Sequence, residues 1–242
     1  MEIFEEYGLE FLSRYAHIIS GITWIGLLYY FNFVQTPSFA AFEAGPRTEA
    51  TAKLVPRAMW WFRWGAMATL AFGLLLFVLQ EQYEGDYLKT PPGISISTGI
   101  LFAVIMFSNV WFVIWPAQKR AIANAENVLA GREADPGLAP IARRSACASR
   151  TNTFLSIPML FFMVATSHFV TLGGFDADPS GGNRAVWWIV VIVLAVVIEL
   201  NALRAPAAGK PESWYFDDHR NTIIGGFVLL IVLYVLMEIL FA

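Results

Sequence analysis

A single cysteine, Cys147, serves all 242 residues, so neither a disulfide nor a thiolate metal cluster can form within the chain. No Cys-x-x-Cys-His motif occurs, which excludes covalently attached c-type haem. Charge is also scarce. Asp, Glu, Lys and Arg make up 14% of the residues, against about 25% in an average globular protein. The net charge is only −3 and no Lys/Arg-rich run is present, so nucleic acid is excluded as a partner. Phosphate-cradling glycine loops, a nucleophile elbow and a His-Glu-x-x-His zinc helix are all missing. The chain starts Met-Glu-Ile-Phe-Glu-Glu, acidic where a signal peptide is basic, and no small-residue cleavage site follows. The first helix is therefore expected to stay.

What the chain has in quantity is apolar surface. Hydrophobic residues reach 57%, more than a soluble domain of this size can hide but suited to a bilayer. Six stretches are long and apolar enough to cross about 30 Å of hydrocarbon: about 9–35, 58–80, 94–116, 152–173, 185–203 and 221–241. The expected fold is all-α, a polytopic bundle of about six transmembrane helices forming one domain over 1–242.

Basic residues orient it. The loops 36–57, 117–151 and 204–220 together carry twelve Lys and Arg. The opposite end has only Arg14, Lys89 and Arg184, set among Glu2, Glu5, Glu6, Glu81, Glu84, Asp86, Asp176 and Asp178. The positive-inside rule then places both termini outside. Trp60, Trp61, Trp64, Trp111 and Trp115 fall at expected inner ends, and Trp187 and Trp188 at an outer one, as belt residues do. Loop 36–57 reads as a short interfacial helix broken at Gly45-Pro46. Loop 117–151 reads as helical to Ala130, broken by Gly131 and Pro136-Gly137, then helical again into the fourth span.

Ionisable groups inside a membrane are costly and point to function. His17 lies about 10 Å, and His168 about 6 Å, below the same outer edge at 1.5 Å per residue. Two imidazoles at similar depth on different helices can supply both axial ligands of haem b; copper is the other option, although two histidines make a poor copper site. Each could equally just hydrogen-bond a neighbouring helix. Gly21 and Gly26 allow close helix approach near His17, useful to a planar cofactor and to ordinary packing alike. His219, beside Asp217 and Asp218, reads as a solvated loop residue or a cap for the sixth helix. A second polar set gathers at inner depth: Asn32, Arg63, Asn109, Asn152, Glu199 and Asn201. A Glu199–Arg63 ion pair would reduce the cost of both charges, and Glu199 snorkelling to the interface would serve as well.

Three segments carry a resemblance: His17-Ile-Ile-Ser-Gly-Ile-Thr-Trp-Ile-Gly26, Asn109-Val-Trp-Phe-Val-Ile-Trp-Pro-Ala-Gln-Lys119, and Asn152-Thr-Phe-Leu-Ser-Ile-Pro-Met-Leu-Phe-Phe-Met163 with Ser167-His168-Phe169. In order and spacing over roughly 10–175 they resemble the membrane domain of the urate oxidase N-terminal family, which includes membrane-bound bacterial urate hydroxylases. Beyond Asp176 the likeness thins. The resemblance implies a redox role with urate as substrate class, and it picks out His17, Trp24, Asn109, Pro116, Gln118, Lys119, Asn152, Pro158 and His168. The family's C-terminal cytochrome c domain has no counterpart in these residues. A family histidine just before Asn152 is replaced by Thr151, and a His-rich stretch by Asn201-Ala-Leu-Arg-Ala-Pro.

The leading expectation is thus a membrane redox domain with haem b between His17 and His168, lined by Trp24 and Gly21, passing electrons to a separate protein. The alternative is a non-catalytic accessory subunit packed against a larger respiratory or photosynthetic complex. A small-anion channel or transporter using Arg63 and Glu199 is a third reading, but no inverted repeat supports it.

Overall fold

The computed structural model describes residues 3, 5–83, 85–171, 173, 175 and 179–242. Of the acidic residues invoked for orientation, Glu2, Glu84, Asp176 and Asp178 lie outside the described residues, as does the side chain of Glu6. The described chain is helical, with no strands, and six of its continuous helical stretches are long and apolar enough to cross a membrane.

Among the described residues ten α-helices follow one another: α1 Glu6–Tyr29, α2 Thr36–Ala41, α3 Ala44–Lys53, α4 Val55–Leu79, α5 Pro91–Ser108, α6 Trp115–Leu129, α7 Leu138–Ala165, α8 Gly181–Arg204, α9 Trp214–Asp217 and α10 His219–Phe241. Their starts follow ordinary capping chemistry. Thr90, Ser180 and Asp218 each accept a backbone N–H of the first turn, from Gly93, Asn183 and Arg220 respectively, satisfying a donor the helix itself cannot pair. Asp218 therefore caps α10, and His219 is the helix's first residue. Near the interface, the break falls at Phe42–Glu43 rather than at Gly45-Pro46. Pro46 sits in the first turn of α3, where its missing N–H costs nothing.

Three π-helical turns, Tyr30–Gln35, Asn109–Ile114 and Thr166–Val170, join α1 to α2, α5 to α6 and extend α7. Each widens the helix by one residue and frees backbone groups, a feature common at functional sites. Continuity through the second turn carries the third span into α6, so the helix runs 91–129, well past the apolar stretch that ends near 116.

Helix α7 is the hub. It packs on α5, α8, α10 and the basic end of α1, and half its length is buried. Pro158 interrupts its hydrogen-bond ladder, leaving the Phe154 carbonyl without its helical donor. Helix α10 closes on that point with Gly225-Gly226: a Cβ on Gly226 would lie 2.8 Å from the Phe154 oxygen. Trp187, expected in an outer belt, is fully buried instead and donates its indole N–H to Thr98 Oγ1 at 3.1 Å.

The contiguous core draws on α1 and α4 unevenly. It includes Trp24, Ile25 and Leu28 from α1 and Val55, Met59, Phe62 and Ala66 from α4, all in the halves toward the basic end. The opposite halves of these two helices pair with each other and give no residue to that core.

Two carboxylates tie down the basic-end connections. Arg120 and the Gly137 amide hold the Asp135 carboxyl below the usual range. Burial pushes Asp217 up, but hydrogen bonds from Ser213, the Gly209 amide and Arg143 outweigh it and hold its carboxyl low.

Candidate functional site

Toward the acidic end, His17 faces α4. Its Nδ1 lies 2.8 Å from the Thr69 carbonyl oxygen. A carbonyl only accepts, so Nδ1 carries the proton and Nε2 keeps its lone pair. Gly73, one turn along α4, makes room for the ring: a Cβ there would meet His17 Cε1 at 2.9 Å. Helix α4 thus fixes both the tautomer and the ring position. Gly21 faces the methyl of Thr69, and Gly65 meets the Trp24 backbone, so small residues on both helices produce the close α1–α4 crossing. Trp24 itself is 1% exposed, packed into the core, with its indole N–H unpaired.

His168 lies in the third π-turn and is exposed. No contact joins it to His17 among the described residues. His17 is held against α4, and His168 lies on the π-turn that extends α7.

The second set converges on α7. Asn109, in the second π-turn, donates one Nδ2 hydrogen to Asn152 Oδ1 and the other to Glu199 Oε2, each at 3.0 Å. Asn152 in turn donates to the Met106 carbonyl at 2.9 Å. One amide thereby ties α5, α7 and α8 together. Glu199 also lines a groove of about 350 Å³ with Leu101, Ile105, Ala195 and Val196.

Arg63 does not join this group. No Arg63–Glu199 ion pair forms, because Arg63 donates to the Met59 carbonyl at 3.2 Å and stacks 3.5 Å over Trp115. Asn201 turns away too, donating to the Glu212 carbonyl. Asn32 does reach α7, donating to Ser149 Oγ at 2.9 Å.

Several buried participants go beyond the sequence expectation. Arg150, counted among loop cations, is 7% exposed and donates to the Asn32 carbonyl, a carbonyl within the first π-turn. Tyr29 shares a 2.9 Å hydrogen bond with Ser156. The signal was present in sequence: 149–153 reads Ser-Arg-Thr-Asn-Thr, a polar run leading into an apolar span. A charge-counting rule assigns such a run to a loop, whereas its buried carbonyl partners keep it inside the bundle.

Among the described residues, no group of three or more His, Cys, Asp or Glu side chains is placed to hold a metal ion. A haem with two axial imidazoles needs only two ligands. His17, with one nitrogen anchored and one free, has the donor chemistry such a ligand requires.

No curated protein and no solved structure matches the chain. A family model described as urate oxidase N-terminal matches residues 88–204. The match contains Asn109, Asn152, His168 and Glu199, and extends beyond Asp176, where the sequence likeness was expected to thin. Residues 10–87, with His17, Gly21, Trp24 and Arg63, fall outside it. Over residues 88–204 this chain, among its described residues an all-helical bundle with six helices long and apolar enough to cross a membrane, is thus similar to the urate oxidase N-terminal family.

Proposed function

We propose that the chain is a membrane redox domain of a bacterial inner membrane, with both termini outside, that holds haem b through His17 and His168. Electrons would pass to a separate partner protein, and urate is the substrate class that the family's name brings. The observation carrying this reading is the His17–Thr69 hydrogen bond. It leaves Nε2 as a neutral donor on a ring whose tautomer and orientation are fixed, which is how proteins prepare a ligating histidine. Bound haem supplies reversible one-electron exchange. The chain's own part is to fix the tautomer of His17 through the Thr69 carbonyl and to hold its ring against Gly73.

The test is haem content of the detergent-purified protein by pyridine haemochrome. Wild type and His219→Ala should retain haem, while His17→Ala and His168→Ala should lose it. Retention in both ligand variants would overturn the assignment.

One observation favours the alternative. Trp60, Trp61 and Trp64 are 48%, 60% and 46% exposed on α4, with Trp60 and Trp61 edge to face at 4.9 Å. Such a surface suits packing of an accessory subunit against a larger membrane complex. Co-purification with that complex, unaffected by His17→Ala, would support it.

A further inference from the structure

Two cations at the basic end lie against one indole and have no carboxylate. Arg63 sits 3.5 Å over the Trp115 ring and 5.5 Å from Trp111, and Lys119 Nζ lies 5.5 Å from the same Trp115. Neither makes an ion pair among the described residues. Cations at a membrane surface that have no carboxylate partner in the protein attract anionic lipid headgroups.

The geometry is that of a held group rather than a free one. Arg63 Nε donates to the Met59 carbonyl, and stacking on Trp115 fixes the guanidinium plane. Both Nη groups then keep donors with no acceptor among the described residues. Beside them, the Trp111 indole N–H is buried and unpaired. Around the cluster stand exposed apolar side chains, Trp60, Trp64 and Phe112, the last 75% exposed, with Trp64 packed edge-on to Trp111 at 5.9 Å. A free inorganic anion would leave that surface uncovered.

We propose that Arg63 and Lys119 bind the phosphate of an anionic phospholipid, whose acyl chains cover the neighbouring tryptophan surface. The site is independent of the haem reading, since it uses neither histidine. It also accounts for Arg63 forgoing Glu199.

Thermal unfolding of the purified chain in uncharged detergent tests it, with phosphatidylglycerol, phosphatidylcholine or inorganic phosphate added. Phosphatidylglycerol should raise Tm saturably, and the other two should not. Arg63→Gln/Lys119→Gln should weaken the apparent affinity for phosphatidylglycerol by at least about tenfold, since each interfacial cation is worth about fivefold. Arg57→Gln, exposed on the same end of α4, should leave it unchanged. If the double variant does not fold, Lys119→Gln alone, at an exposed position, should show about a fivefold loss. An equal response to phosphatidylcholine, full reproduction by inorganic phosphate, or undiminished affinity in the folded variants would each overturn the proposal.

Discussion

Replacing Asn109 by leucine removes one amide and strands two acceptors. Asn109 is 2% exposed, and leucine has the same branched heavy-atom skeleton, so the change is chiefly one of hydrogen bonding. Asn152 Oδ1 and Glu199 Oε2 each lose a 3.0 Å donor. Side-chain hydrogen bonds between membrane helices average about 0.6 kcal/mol and reach about 1.7. Two of them give about 1–3 kcal/mol. For a chain of this size each kcal/mol shifts Tm by about 2–4 °C, so Asn109→Leu should lower Tm by about 2–12 °C in detergent. Glu199→Leu added to Asn109→Leu should cost less than the sum of the two single changes, because one acceptor is then no longer stranded. An Asn109→Leu protein within 1 °C of wild type, or strictly additive losses, would refute the view that this amide joins α5, α7 and α8.

Other outcomes follow from the same structure. Gly73→Ala would push a Cβ to 2.9 Å from His17 Cε1, so it should destabilise by about 1–3 kcal/mol and reduce haem content as His17→Ala does. Gly226→Val should destabilise by at least about 2 kcal/mol in the same melts, because the obstacle is the Phe154 backbone oxygen, which cannot rotate away. Asp135 and Asp217 have folded pKa values below their unfolded ones. Their contribution is therefore complete at neutral pH and is lost as pH falls below about 4, so amide exchange in 131–137 and 205–213 should quicken selectively there. In a Cys147→Ser background, Glu133→Cys should react with an impermeant maleimide only from the cytoplasmic side. Labelling from outside would reverse the orientation.

The fold was legible because the bilayer demands long apolar runs, and those runs coincide with six helices. The polar pieces were less so. Asn109, Asn152 and Glu199 share depth in the sequence, and the structure unites them, since inward-facing polar groups on three adjacent helices need each other as partners. Depth says nothing about rotation around a helix axis, however. Arg63 at similar depth turns to Trp115, and His17 turns to Thr69. Trp187 looks like a belt residue by position, yet Thr98 offers its N–H a partner in the core. The π-turns gave no signal at all in the apolar pattern, because a single widened turn leaves hydropathy unchanged.

The most direct test of the redox reading is a reduced-minus-oxidised visible difference spectrum of the purified chain, made in cells supplied with haem precursor. The account predicts a Soret band with sharp α and β bands, as for a haem with two axial imidazoles. A featureless spectrum from folded protein would contradict it.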